Sequence, residues 1–144
     1  MSAQFHLDPR LEADSVWIAD GPLSQLRMMD DARFDWLVLV PRVPDVSELI
    51  DLNADQQGLL LEEINQAGAL LRACSPCDKL NIGILGNIVR QLHVHVLARV
   101  HGDCAWPGPA WGAGSVQRLD TQAIDQRRMV LGKHVQADFW RPAP

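Results

Sequence analysis

Two histidines and a glutamine alternate with apolar residues in the segment 91–100, QLHVHVLARV. Side chains alternate between the two faces of a strand, so burial of the apolar face directs Gln91, His93 and His95 to the opposite face. Successive members of this row are separated by about 6.5–7 Å. An imidazole can act as a nucleophile, as a general acid or base, or as a metal ligand. The row is therefore the first candidate for chemistry.

The spacing of the two histidines is compatible with three arrangements. In phosphate chemistry, one imidazole attacks phosphorus while its neighbours hydrogen-bond the phosphate oxygens. As a chelating pair, the histidines would need a further ligand, such as His101, Asp103 or Cys104. Spacing alone also allows two partly exposed histidines on a solvated sheet face, so the pattern by itself leaves the three alternatives open.

The elements that carry this row follow from the hydrophobic patterning. Strands are predicted at 15–19, 23–29, 35–40, 79–85 and 91–100. Asn53 is the expected N-cap of a main helix over 54–73. Further helices are predicted at 120–132 and, as a short helix capped by Asp45 or Ser47, through Leu49 and Ile50. Strands on both sides of one long helix indicate an α+β fold, with an antiparallel sheet of about five strands.

Length and composition indicate one globular domain. The 144 residues are 47% hydrophobic and 22% charged, with a net charge of −5. These values argue against disorder and against binding to nucleic acid polymers, while a small phosphorylated ligand remains compatible. Three cysteines do not form a disulfide framework. With no secretory signal and no apolar run that could span a membrane, a cytoplasmic protein is expected.

The segment Gln91–Leu97 resembles the signature of the histidine triad (HIT) family, His-φ-His-φ-His-φ-φ, in which φ is apolar. All four apolar positions match, and glutamine replaces the first histidine. The resemblance extends to three flanking motifs, namely Asn81-Ile82-Gly83, Gly86-Asn87 and Trp106-Pro107. It implies a single HIT-like domain over 1–144, with a core at about 15–112 and an extension at 113–144. The sequence looks like a bacterial subgroup, often labelled diadenosine polyphosphate hydrolase-like, in which Gln-x-His-x-His replaces the full triad.

The resemblance also implies roles for individual residues. His93 matches the nucleophile, which attacks the α-phosphorus of a nucleotide to give a nucleotidyl-histidine that water then hydrolyses. His95 matches a histidine that contacts phosphate oxygens, and Gln91 holds the position that contacts the leaving oxygen. The expected substrate-binding residues are Asn81, Gly86, Asn87 and Trp106. The family further implies a homodimer without a metal or other cofactor, and no membrane partner.

Two departures from the family pattern bear on activity. Gln91 can donate a hydrogen bond but cannot deliver a proton at neutral pH. A phosphoanhydride, whose leaving group needs no proton, is therefore the expected substrate in preference to a phosphoramidate. Ile88 stands near a position where relatives often carry a hydroxyl residue. The alternatives to a nucleotide hydrolase or transferase are a non-catalytic nucleotide-binding module and a metalloprotein built on the two histidines.

Two tryptophans lie in the irregular Pro/Gly-rich segment 103–114. Trp106 and Trp111 are suited to stacking on a nucleobase or to filling a dimer interface. A small hydrophobic cluster is an equally good interpretation of the same residues.

Overall fold

A single antiparallel sheet of six strands organises the computed structural model, which describes residues 3–144. The strands are β1 (Ser15–Asp20), β2 (Ser24–Met29), β3 (Asp35–Pro41), β4 (Lys79–Gly83), β5 (Val94–Arg99) and β6 (Arg141–Pro142). The helices are α1 (Pro9–Asp14), α2 (Ala54–Cys74) and α3 (Thr121–His134), with a 3-10 turn at Leu49–Asp51. The strand order is β4-β5-β3-β2-β1-β6. The predicted α+β class is confirmed.

The expected count of about five strands is wrong by one. The additional strand, β6, is a two-residue segment near the end of the chain that pairs with Ala19 and Asp20 of β1. Pro142 is one of its two residues and Pro144 follows closely, and a pairing this short leaves no periodic pattern in the sequence. Only the long-range contact with β1 defines it.

The histidine-bearing strand β5, which lies between β4 and β3, begins later than predicted. It spans Val94–Arg99, because the backbone N–H of Leu92 donates to the carbonyl of Val46 rather than to a neighbouring strand. The predicted alternation of faces nevertheless holds from Leu92 onward. Leu92, Val94 and Val96 are at most 1% exposed and belong to the main core.

Helix α2 covers one face of the sheet. Its first turn is closed by a capping box, in which Asn53 and Gln56 each accept a hydrogen bond from the other's backbone N–H. Leu60, Ala67 and Leu71 of this helix pack into the main core. The helix confirms the prediction for 54–73 to within one residue.

The buried carboxylate of Glu63 joins α2 to the turn between β1 and β2. It accepts hydrogen bonds from the backbone N–H of Leu23, the backbone N–H of Ser24 and the hydroxyl of Ser24, at 2.7–3.1 Å. Burial raises the pKa of Glu63. A Cβ atom at Gly21 would lie 2.1 Å from the Glu63 Oε2 atom, so this turn requires glycine.

The opposite face of the sheet, which carries the histidines, is also covered. A second cluster packs there, made of Leu11, Phe34, Trp36, Val38, Val40, Leu97 and Ala110. Its cover comes from α1 and from the irregular segment after β5. The side chains of His93 and His95 are only 6% and 7% exposed, which excludes the interpretation of a solvated sheet face.

The carboxyl-terminal extension packs on the domain through α3 and β6. Leu131 of α3 and Trp140 are buried in the main core, at 6% and 2% exposure. Within residues 3–144, no helix combines the length and the apolar character needed to cross a membrane.

Candidate functional site

His93 and His95 both line a cavity of about 530 Å³. Two loop segments form much of its wall, 85–89 after β4 and 110–114 after β5. Leu11 of α1 and Met29 of β2 add apolar surface. The cavity therefore combines two titratable side chains with a mostly apolar lining, as small-molecule sites commonly do.

The ring of His93 is oriented by the backbone just before it. Its Nδ1 atom lies 2.6 Å from the carbonyl oxygen of Gln91. A carbonyl oxygen can only accept, so Nδ1 must carry the hydrogen. In the neutral ring the Nε2 atom then keeps its lone pair. His93 is thus prepared to act at Nε2 as a nucleophile or base.

The ring of His95 is held in the opposite tautomer. The indole Nε1–H of Trp36 donates to the Nδ1 atom of His95 at 3.0 Å, and an indole nitrogen is only a donor. The hydrogen of the neutral ring is therefore on Nε2. Burial, together with the neighbouring His93, lowers the pKa of His95 to about 3. His95 is an uncharged hydrogen-bond donor at neutral pH.

The two rings are close enough to act on one group. Their centroids are 4.9 Å apart in an edge-to-face arrangement. One ring offers a lone pair and the other a hydrogen-bond donor. This pairing suits attack on an electrophilic centre whose oxygen needs a donor, which is the geometry of phosphoryl or acyl transfer.

Trp111 packs beside the histidines and closes one side of the cavity. Its ring centroid lies 5.5 Å from that of His95 and 6.3 Å from that of Trp36. A Cβ atom at Gly83 would lie 2.7 Å from the Trp111 ring, so glycine allows this close approach. The sequence marked Trp111 as one of two aromatic residues in a loop but gave no reason to prefer it over Trp106.

Charged side chains at another part of the cavity wall are paired with one another. Arg33 bonds Asp31 at 2.8 Å, and Arg118 bonds Asp14 at 2.8 Å and Asp30 at 3.0 Å. These five groups comprise all the Asp and Arg side chains of the cavity lining. Both guanidinium groups are thus already engaged by carboxylates.

The predicted site residues fall into two groups. Gly86 and Asn87 line the cavity together with the two histidines. Gln91, Asn81 and Trp106 do not belong to its lining. Ile88 also lines it, although its side chain is 80% exposed.

The side-chain amide of Gln91 is bonded to the chain's amino-terminal segment. It accepts from the backbone N–H of Asp8 and donates to the carbonyl of His6, both at 2.8 Å.

Asn81 and Trp106 contact a buried arginine instead of the cavity. Arg99, 1% exposed, donates to the Oδ1 atom of Asn81 at 2.9 Å and lies over the ring of Trp106. It also makes two hydrogen bonds to Asp103, at 2.7 and 2.8 Å, and one to the carbonyl of Gly108. Arg99 therefore anchors the loop that leads to the cavity wall.

The candidate third metal ligands do not join the histidine pair. The hydrogen bonds from Arg99 lower the pKa of Asp103 to about 2. His101 is exposed and pairs with Asp78 at 3.3 Å. Among residues 3–144, no three His, Cys, Asp or Glu side chains converge as a metal site.

Known proteins resemble the chain along most of its length. A model of the HIT domain family matches residues 10–102. A histidine triad protein from Bradyrhizobium japonicum is 42% identical, covers 93% of this chain and 100% of its own, and superposes with a TM-score of 0.89. A HIT protein from Sinorhizobium meliloti is also 42% identical, covers 91% of this chain and 97% of its own, and superposes with a TM-score of 0.88. A histidine triad protein from Marinobacter aquaeolei is 33% identical, covers 92% of this chain and 96% of its own, and superposes with a TM-score of 0.89. No curated protein matches the chain.

Proposed function

The chain belongs to the histidine triad family, and from this premise we propose that it hydrolyses or transfers a nucleotidyl group through His93. Members of the family are generally nucleotide-binding hydrolases or transferases. One observation carries the proposal: His93, whose Nε2 keeps a lone pair, and His95, whose Nε2 carries the hydrogen, line the same cavity with ring centroids 4.9 Å apart.

The proposed reaction has two displacements at one phosphorus atom. Nε2 of His93 attacks the α-phosphorus, and the bond to the leaving oxygen breaks as the new N–P bond forms. The ring becomes cationic, and its Nδ1–H then donates more strongly to the carbonyl of Gln91. His95 donates from Nε2 to a non-bridging oxygen. Water then attacks phosphorus and the N–P bond breaks, which regenerates neutral His93 with its Nδ1–H; the proton that the water loses is released to solvent.

The proposed substrate is a phosphoanhydride of the diadenosine polyphosphate type, as in the bacterial subgroup that the sequence resembles. A nucleoside polyphosphate leaves without help from an acid, and the amide of Gln91 cannot provide a proton. Gly86 and Asn87 are proposed to contact the bound nucleotide, because they line the cavity. Asn81 and Trp106 are proposed to act at a distance, through their contacts with Arg99.

Product analysis by liquid chromatography tests this function. Diadenosine polyphosphates, ADP-sugars and adenosine phosphoramidate are incubated with the wild type and with His93→Ala. Turnover of a phosphoanhydride should fall roughly 10³-fold or more in the variant, because the nucleophile is lost. Denaturing mass spectrometry should find a nucleotidyl group on the peptide with His93. His134→Ala, on the exposed end of α3, is the matched control.

Other outcomes separate the alternatives. Nucleotide binding without turnover of any substrate would favour a non-catalytic binding module. Turnover that survives in His93→Ala would refute the assigned nucleophile. Equal kcat/KM for matched anhydride and phosphoramidate substrates would refute the preference for anhydrides. Activity that chelators abolish would favour the metalloprotein.

We also propose a homodimer that forms at β4. This strand is at the edge of the sheet, where its outer N–H and C=O groups have no neighbouring strand among the described residues. Beside it, α2 and β4 form an open groove lined mostly by small and apolar residues, including Gly68, Leu80 and Ile82, together with Asn65 and Arg72. Ile82→Lys should convert the dimer to a monomer in light scattering. A monomeric wild type would refute the proposal.

A further inference from the structure

We infer that Gln91 is a positioning residue that fastens the amino-terminal arm, residues 3–14, beside the cavity. This role differs from contact with the leaving group. The inference rests on the proposed function only in that a nucleotide fills the cavity that His93 faces. Its structural basis is that both ends of the Gln91 amide are already bonded to the arm.

The two hydrogen bonds match the bonding groups of a side-chain amide. Oε1 accepts from the N–H of Asp8, while Nε2 donates to the carbonyl of His6, two residues earlier. The N–H and C=O groups of one residue on a neighbouring strand would bond in the same way in a parallel β-bridge centred on Leu7. Imidazole carries its donor and acceptor on different edges of a rigid ring, so histidine cannot reproduce this pair.

The arm contributes directly to the cavity. Leu11 and Asp14 belong to the cavity lining, and Leu11 is buried in the second cluster. Phe5 and Leu7 pack against the same cluster. The guanidinium of Arg10 donates to the carbonyl of Ile88 at 3.1 Å, which joins the arm to the wall loop 85–89. The position of the arm therefore determines the shape of one wall.

Gln91 also connects the arm to the proposed nucleophile. Its side chain bonds the arm, while its own carbonyl accepts the hydrogen bond from Nδ1 of His93. That acceptor is a main-chain carbonyl, which remains in place when the arm is loosened. The tautomer of His93 should therefore persist. The loss of the side-chain bonds should consequently weaken nucleotide binding more than it slows the chemical step.

Two substitutions test the inference in the full-length protein. Gln91→Met keeps the size of the side chain but not its hydrogen bonds, whereas Gln91→His introduces the residue typical of the family. In both, hydrogen exchange at the Asp8 amide should accelerate about tenfold or more. KM should rise about fivefold or more, with kcat within about twofold. Gln122→Met, on the exposed first turn of α3, is the control.

The outcomes are distinct. Unchanged exchange along the arm in both variants would overturn the inference whatever the activity. Faster exchange with unchanged KM would overturn the role of the arm in the cavity wall. Retained or increased kcat/KM in Gln91→His would overturn the inference and would instead support a contact between the side chain at position 91 and the leaving group. If the wild type has no turnover, the Kd of AMP measured by calorimetry replaces KM, so the arm is tested even when the proposed function fails.

Discussion

Substitution of Trp36 by phenylalanine tests how the tautomer of His95 is set. The indole Nε1–H is the hydrogen-bond donor to Nδ1 of His95, at 3.0 Å, and both side chains are buried. Trp36→Phe retains an aromatic ring in the second cluster but removes this donor. The hydrogen of the neutral imidazole is then no longer confined to Nε2, which is the atom proposed to bond the substrate.

The expected size of the effect follows from one buried hydrogen bond. Leaving the Nδ1 acceptor without a partner should lower the free energy of unfolding by about 1–3 kcal/mol, and the smaller ring adds a cavity term. A complete loss of the donor at Nε2 would reduce kcat roughly 10²–10³-fold. Because the freed ring still samples the productive tautomer, a decrease of about tenfold is expected, with KM nearly unchanged.

Nitrogen-15 NMR of histidine side chains measures the tautomer directly. The wild type should give the Nε2–H pattern for His95, and Trp36→Phe should give a mixture. Trp17→Phe is the matched control. The Trp17 indole donates to Asp20 at 3.1 Å, and neither residue belongs to the cavity lining. An unchanged Nε2–H pattern together with unchanged kcat in Trp36→Phe would refute the argument that the indole sets the tautomer.

Three further predictions concern stability and packing. Glu63→Ala should lower the free energy of unfolding by about 3–5 kcal/mol, because the buried backbone N–H and hydroxyl of Ser24 lose their acceptor. Glu63→Gln should lower it much less, and urea titration of the two variants compares these values. Since the pKa of Asp103 is lowered to about 2, its stabilising contribution should be complete above its unfolded pKa of about 3.9 and should disappear as the pH falls towards 2. Asp103→Asn should abolish this part of the acid sensitivity in pH-dependent unfolding; an unchanged profile would contradict the assignment. Gly83→Ala should displace Trp111, alter the near-ultraviolet circular dichroism and reduce kcat/KM; an unchanged spectrum would show that the ring tolerates the methyl group.

Local patterns in the sequence were sufficient for the elements around the histidines. The alternation of Leu92, Val94 and Val96 correctly predicted which face of β5 is buried against α2. The capping residue Asn53 correctly predicted where α2 begins. Helix α1 was missed although its signal is present, since Asp8 caps it and Pro9 occupies its first turn.

Long-range contacts explain what the sequence could not predict. Trp36 and His95 are 59 positions apart, and Gln91 lies 83 positions from Asp8. No local pattern relates such residues, so neither the tautomer of His95 nor the engagement of the Gln91 amide could be anticipated. The cover over the histidine face likewise comes from distant segments, which is why a solvated face remained compatible with the spacing.

The paired charges of the cavity wall bear on how a ligand arrives. Asp14, Asp30 and Asp31 contribute three negative charges and Arg33 and Arg118 two positive charges, a sum of −1, while His95 is neutral. Such a wall provides no electrostatic steering for an anion. Added salt, which slows the association of anions with a basic cleft, should leave the association rate of a polyphosphate here unchanged or slightly increase it. Encounter with such a ligand then depends on diffusion and on the apolar surface of the cavity.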